Sequence, residues 1–480
     1  MGYVFLGKRE HNATNRALVI YWLTLASWIF YSYWNPIYLP LLLGSIIINY
    51  SLGKAITRHQ GTKKGKWILG SGIALNLASI AYFKYMGFFL SFISLTQADP
   101  AFALVSTVLP LGISFFTFQQ IAYLVDTYKK QTVEHSFSEY ALFVSFFPQL
   151  IAGPIVQQKD VLPQFKQSRF KINHRWLYFG LCYFVLGLFK KVAIADTFGQ
   201  FASPLFATAS SQGSIGFIDA WAAALAYTFQ LYFDFSAYSD MAIGLGLMFG
   251  IRLPLNFYSP YKSLNISDFW RRWHITLSEF LRDYLYIPLG GNRKGSVRRY
   301  TNLMIVMLLG GLWHGAGWTF VLWGALHGLY LVINHGWWTL KKAYNLPHIA
   351  APIAWGITFT SVVFAWVMFR ANSLDQALII WSGMVDFTSI SAAFSQQTVF
   401  AYLAIIFGLF VTLALPNTHQ WIIGWNQQQK RITRRHRHGM NALHHRMPQH
   451  TLTAIGMGCI AWGSLLLIQF FKSEFLYFNF

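Results

Sequence analysis

The chain has 480 residues, of which 55% are hydrophobic and only 11% charged, with a mean hydropathy of +0.39. That leaves too few polar side chains to clothe a soluble surface, so lipid is the expected solvent. A net charge of +21 would suit a nucleic-acid partner. The Lys and Arg residues, however, fall in short tracts between apolar runs, at Lys54–Lys66, Lys159–Arg175, Arg293–Arg299 and Lys430–Arg446. That is the positive-inside pattern and excludes a nucleic-acid footprint.

Apolar runs recur in chain order at Ala17–Trp34, Pro36–Tyr50, Trp67–Leu95, Val105–Val125, Trp176–Phe189, Phe217–Phe233, Asn302–Phe320, Ile353–Met368, Ala401–Pro416 and Leu452–Phe471. A spanning helix needs about 20 such residues, so with broken segments added the runs predict roughly 10–12 passages or part-passages. The first two runs lie between Lys8, Arg9 and Arg16 on one side and Arg58, Lys63, Lys64 and Lys66 on the other. Two crossings return the chain to one face, which puts the N-terminus in the cytoplasm. Leu6 stands where a myristoylation signal wants Ser or Thr, and no cleavable signal peptide precedes the first run, so that span is expected to stay in the mature protein.

Two regions break the simple pattern. From Phe143 to Gln164, Pro148, Gly153, Pro154 and Pro163 interrupt an apolar run, so this stretch is expected to be either re-entrant or spanning. From Asn265 to Tyr286, Phe269, Trp273, Leu277, Phe280 and Tyr284 share one helical face, and Arg271, Arg272, Ser278, Glu279 and Arg282 lie opposite. That pattern predicts an amphipathic helix in the cytoplasmic interface plane, N-capped by Asn265 or Ser267. Neither a repeat period nor a polar segment long enough to fold alone interrupts the chain, so residues 1–480 read as a single membrane domain with a basic cytoplasmic loop at 426–450. Cys182 and Cys459 sit alone in apolar runs, with packing as their expected role.

Titratable groups within hydrocarbon are the functional candidates, because each costs several kcal/mol unless it faces a cavity or a partner. His314 and His327 lie inside GGLWHGAGWTFVLWGALHGLY, with Gly310, Gly311, Gly315 and Gly317 around the first. Those glycines remove bulk and would let another helix or an acyl chain approach, as a tunnel wall requires. About fifteen residues of helix from Arg299 place His314 roughly 22 Å into a core about 30 Å thick. His327, about thirteen residues on, would sit on nearly the opposite face about 20 Å further along one continuous helix, so the two cannot share a metal unless the chain turns between them. Asp234 and Asp240 in LYFDFSAYSD, with Ser236, Tyr238 and Ser239 in reach, read first as a structural network, or as support for a histidine. The chain lacks GxSxG, HExxH, CxxC and a complete GxxxxGK, which removes the usual support for hydrolase, metalloprotease and nucleotide-motor readings.

Taken together, LPLGISFFTFQQIAYLVDTY (Leu109–Tyr128), SFFPQLIAGPIV (Ser145–Val156), DFSAYSDMAIGLGLMFGIRLPLNFYSPY (Asp234–Tyr261), SDFWRRWHITLSEFLRDYLYIPLGGNR (Ser267–Arg293), GGLWHGAGWTFVLWGALHG and FAWVMFRANSLDQA (Phe364–Ala377) resemble the membrane-bound O-acyltransferase (MBOAT) family. The likeness is to its bacterial branch of alginate O-acetylation proteins and peptidoglycan O-acetyltransferases, and more distantly to the D-alanyl transfer proteins of teichoic acid modification. It covers nearly the whole chain, with a motif core at 108–377, and weakens in the basic tract and last span.

The resemblance implies an all-α polytopic fold, a ring of tilted helices and re-entrant segments around a central tunnel, in the bacterial inner membrane. It makes His314 the family's invariant histidine and His327 the second one, His314 serving as a general base or as a transient acyl carrier. Trp313, Gly315, Gln149, Asp234, Asp240 and Tyr238 are then expected to line or support the tunnel. Arg271, Arg272, Trp273, His274 and Arg282 are expected to form the cytoplasmic face that meets the donor. That donor would be acetyl-CoA or another acyl thioester, with no bound cofactor and no metal. A periplasmic SGNH-type acetyltransferase would be the partner, membrane lipid the surroundings, and an exported polysaccharide the final acceptor. A neutral, desolvated imidazole suits a reaction in which an activated thioester needs mainly a base and a dry site. Two other classes compete: a transporter, with the broken segment and Asp234 lining its path, and a non-catalytic scaffold that would tolerate loss of His314.

Overall fold

The computed structural model describes residues 13–92, 109–132, 134–167, 174–390, 395–422 and 447–470, together with Leu476, and the described residues form helices and connecting loops with no strand. Most of the expected basic loop 426–450 lies outside them. So do residues 105–108 of the fourth apolar run.

The first helices are α1 (Ala13–Trp34), α2 (Leu39–Arg58) and α3 (Lys63–Ile80), the last continuing through a π-helical turn, Ala81–Tyr85, into α4 (Met86–Phe92). Then come α5 (Ile113–Tyr128), α6 (Phe137–Ser145) and the single turn α7 (Phe147–Leu150), followed by α8 (Gln158–Gln167). α9 (His174–Phe189) runs through a second π-helical turn, Lys190–Ala195, into α10 (Asp196–Gln212), and α11 (Phe217–Met248) is the longest at 32 residues. The rest are α12 (Ile266–Arg272), α13 (Ile275–Leu281), α14 (Gly295–His314), α15 (Trp318–Tyr344), α16 (Ala351–Arg370), α17 (Leu374–Val385), α18 (Gln396–Ala414) and α19 (Met447–Phe470).

By length and composition, five helical segments among the described residues can cross a membrane: Arg16–Trp34, Pro36–Arg58, His174–Gln212, Ala351–Arg370 and Gln396–Ala414. Their outward faces carry large apolar side chains, such as Leu25 and Ile29 on α1, Ile353 and Ile357 on α16, and Leu403, Ile406 and Phe410 on α18, each more than half exposed. An apolar outer belt of that kind is stable only against lipid. The other long runs are present as helices that are shorter, wound through a π-turn, or polar within.

Polar side chains point inward instead. Asn49 of α2 and Asn76 of α3 exchange hydrogen bonds of 3.3 and 2.7 Å, the kind of interhelical link that hydrocarbon favours. α11 is buried along most of its length and packs on α9, α10, α16, α17 and α18. A Cβ on Gly180 or Gly244 would lie 2.6 or 2.5 Å from the other's carbonyl oxygen, so α9 and α11 touch backbone to backbone. The apolar interior forms one cluster around α10, α11 and α16–α18, a second around α1, α2, α5 and α6, and a third between them. Cys182 packs in the second cluster as expected, whereas Cys459 is exposed.

Two local segments are broken. The Phe143–Gln164 stretch is not one continuous helix. α6 ends at Ser145, α7 makes one turn, and residues 151–157 run as buried non-helical chain before α8. Such backbone survives at membrane depth only when protein satisfies it, and Ile155 N–H donates to Thr276 Oγ1 at 2.9 Å. The Asn265–Tyr286 stretch is not one surface helix either. Asn265 caps α12, as anticipated, by accepting from Asp268 N–H at 2.8 Å, but the helix stops at Arg272 and His274 takes a left-handed φ of 42° before α13 begins. Phe269, Trp273, His274, Leu277, Phe280 and Leu281 are all buried, so both short helices are built into the interior.

Candidate active site

His314 is the last residue of α14, and the extended Gly315 stops the helix there. The chain reverses over Gly315–Gly317 and returns as α15, packed along α14. A Cβ on Gly311 would lie 2.3 Å from Phe320 O, and one on Gly324 2.3 Å from Met307 O. These two glycines therefore let the arms of a hairpin meet at backbone contact. A Cβ on Gly315 would fall 2.1 Å from the Phe320 ring, whereas Gly317 and Gly310 have no contact shorter than 3.7 and 3.4 Å. Gly311, Gly315 and Gly324 are thus the glycines that the close packing of this hairpin requires.

The same reversal removes the predicted separation of the two histidines. Trp323 lies between them, its ring 5.0 Å from His314 and 4.8 Å from His327, at interplanar angles of 85° and 63°. Phe369 at the end of α16 adds a wall 5.1 Å from His314, and Trp270 of α12 one 5.1 Å from His327. His314 is 4% exposed and His327 0%. Neither His327 ring nitrogen has a hydrogen-bond partner among the described residues. Among the described residues no group of three or more His, Cys, Asp or Glu could hold a metal ion.

Trp313 anchors the other side, 4.9 Å from the His314 ring, stacked on Phe118 at 5.2 Å and packed in the third apolar cluster, against which Tyr238 also lies. His274 approaches Trp313 at 6.2 Å and Phe235 at 4.8 Å. Its Nδ1 is 3.1 Å from Asn256 Oδ1, an amide oxygen that can only accept, so Nδ1 carries the proton. Asn256 Oδ1 also accepts from Thr276 Oγ1 at 3.0 Å, and its Nδ2 donates to Ser239 Oγ at 3.3 Å. This wholly buried amide ties α11 to the α12–α13 break and holds His274 in its left-handed conformation. The resemblance groups Trp273 and His274 with the donor-facing arginines; in the structure both are buried, at 3% and 0% exposure. Of that group, Arg271 is exposed, Arg272 pairs with Asp268 at 2.9 Å, and Arg282 pairs with Asp283 at 2.7 Å.

Asp234 and Asp240 are held in ion pairs. The π-helical turn aims two consecutive lysines at α11. Lys190 Nζ lies 2.6 Å from Asp240, and Lys191 Nζ lies 2.7 Å from Asp196 and 2.8 Å from Asp234. Lys190 also donates to Ser236 Oγ at 3.1 Å. The acids thus take part in a buried ionic network. Gln149 is buried on α7, where its amide donates to Phe143 O at 2.8 Å.

The two residues that cap the end of α14, Lys84 and Tyr85, escaped sequence reasoning altogether. Lys84 Nζ donates to the carbonyls of Trp313 at 2.7 Å and His314 at 2.9 Å, and Tyr85 Oη donates to that of Leu312 at 2.5 Å. The signal was a lone lysine inside the apolar run Trp67–Leu95, a rare and costly placement. Asn256 left only the weaker trace of an amide in an apolar stretch.

The sequence profile of MBOAT, the membrane-bound O-acyltransferase family, matches residues 69–381. The chain is 47% identical over 420 residues to the peptidoglycan O-acetyltransferase of Helicobacter pylori, covering 82% of this chain and 78% of that protein. It is 43% identical over 373 residues to the probable alginate O-acetylase AlgI of Pseudomonas aeruginosa, covering 76% and 69% respectively. A teichoic acid D-alanyltransferase of Streptococcus thermophilus is 32% identical over 284 residues, covering 54% and 68%. The end-of-helix histidine in a dry aromatic pocket, the apolar outer belt and these likenesses converge: the chain belongs to the membrane-bound O-acyltransferase family and is an acyltransferase.

Proposed function

We propose that this protein transfers an acetyl group from a cytoplasmic acyl thioester, acetyl-CoA, toward an exported polysaccharide, with His314 as the group at which the reaction turns. The observation that carries the reading is the position of His314: at the terminus of α14, almost without solvent exposure, walled by Trp313, Trp323 and Phe369. In the chemistry this supports, a hydroxyl oxygen attacks the thioester carbonyl carbon while the imidazole takes the hydroxyl proton. The C–S bond then breaks and the proton passes to the departing thiolate, giving an ester and a free thiol. Exclusion of water favours transfer over hydrolysis. His327, across Trp323, serves as a second pocket residue, and Arg271 offers positive charge to the phosphates of the donor.

The acceptor class follows from the relatives, which act on peptidoglycan and alginate by name. An envelope glycan outside the cytoplasmic membrane, a periplasmic SGNH-type acetyltransferase that receives the acyl group, and a cytoplasmic N-terminus complete the reading. Residues 1–480 act in it as one membrane domain. The test is His314→Ala in the native host, with base-labile acetate measured on each exported polymer. Acetate should vanish from one polymer while the variant stays in the membrane at normal level. Wild-type acetate would overturn the reading and favour a scaffold.

A further inference from the structure

The last four carbonyls of an α-helix have no partner within it, and in a water-free interior each orphan costs several kcal/mol. α14 ends on buried Trp313 and His314, the second being the residue proposed to do chemistry. The π-helical turn Ala81–Tyr85 supplies the missing donors. Two adjacent side chains, Lys84 and Tyr85, reach three consecutive carbonyls: Leu312, Trp313 and His314. An α-helix turned into the π form re-aims its side chains, and such bulges gather at functional sites. A cation at this end also meets the negative pole of the helix dipole. The Lys84 ammonium lies 5.9 Å from the centre of the Trp313 ring, so the same group touches the side chain that flanks the histidine.

Beyond the cap, Gly315 and Gly317 offer the last turn of α14 a low-cost way to unwind, which would draw the imidazole out from between Trp313, Trp323 and Phe369. We propose that Lys84, assisted by Tyr85, is a positioning residue for acyl transfer: it pins the final turn of α14 and thereby holds the His314 ring in its aromatic pocket. This rests on the acyl-transfer reading of His314.

The experiment uses the full-length chain in membranes of a deletion host, with acetyl-CoA as donor and thiol release plus polymer acetate as readouts, normalised to membrane-inserted protein. Lys84→Met should lower turnover about 100-fold, the scale expected when a reacting group is misplaced by about 1 Å, with KM for acetyl-CoA shifted less than about threefold. Lys84→Arg, which keeps a cationic donor, should recover to within about tenfold of wild type. Added to His314→Ala, Lys84→Met should cause no further loss, because a positioning residue acts only through the group it positions. If Lys84→Met reduces protein in the membrane, Tyr85→Phe, which removes one hydrogen bond, carries the test with an expected loss of about tenfold per molecule. Wild-type turnover in Lys84→Met or Tyr85→Phe, with His314→Ala inactive, overturns this proposal and leaves the acyl-transfer reading standing. Wild-type turnover in His314→Ala overturns that reading itself.

Discussion

Gly310 and Gly311 are neighbours of one residue type, yet the structure assigns them opposite sensitivities. A methyl group on Gly311 would sit 2.3 Å from Phe320 O and 3.1 Å from Gly324 Cα, whereas ordinary contact begins near 3.4 Å. Both obstacles are backbone, so no side-chain rotation relieves them. α14 and α15 would have to separate by about 1 Å at the turn that carries His314 and Trp323, at an overpacking cost of about 1–3 kcal/mol. A displacement of about 1 Å at a reacting group can also cost about 100-fold in rate. Gly310→Ala meets only the Leu281 Cδ1 methyl, at 3.4 Å, which is tolerable. The assay is thermal unfolding of the detergent-solubilised protein, followed by size-exclusion recovery, together with acetate on the exported polymer. Gly311→Ala should lose both stability and acetate, and Gly310→Ala should keep both. Equal behaviour of the two variants would refute the backbone-contact account of the hairpin.

Two further outcomes follow from the ionic groups. Asp234→Asn removes a carboxylate 2.8 Å from buried Lys191, while Asp196 stays at 2.7 Å. Removing one partner of a buried pair costs about 3–5 kcal/mol, so thermal recovery should fall sharply while turnover per folded molecule falls much less. A stable but inactive Asp234→Asn would instead make this acid part of the chemistry. Arg271→Glu, at an exposed position, should raise KM for acetyl-CoA several-fold with little change in kcat, as seen in donor-dependent thiol release. Unchanged kinetics would make that arginine unconnected with the donor.

Much of this protein is legible in its sequence. Composition and the run lengths determined a membrane solvent and helices as the architecture, because apolar runs of about 20 residues satisfy their backbone in hydrocarbon as helices, whereas barrel strands are about half as long and alternate in polarity. Apolar depth together with the neighbouring glycines singled out His314, and the motifs around it carried the family. Local capping chemistry was readable too, as Asn265 shows.

What the sequence could not decide were contacts between residues distant along the chain. His327 met His314 only because the chain reverses at Gly315–Gly317, a turn that helical periodicity extrapolates straight through. His274 counted as a surface residue while Asn265–Tyr286 was read as one helix, and moved inside once a left-handed φ broke it. Lys84 stands 230 positions from the carbonyl of His314 that it caps, a pairing no local pattern encodes. Sequence by itself determined which groups are costly in lipid, since transfer free energy depends on residue type and environment. Only the tertiary structure decided who compensates each cost, because hydrogen bonds and ring contacts depend on distances of a few ångströms that packing alone sets.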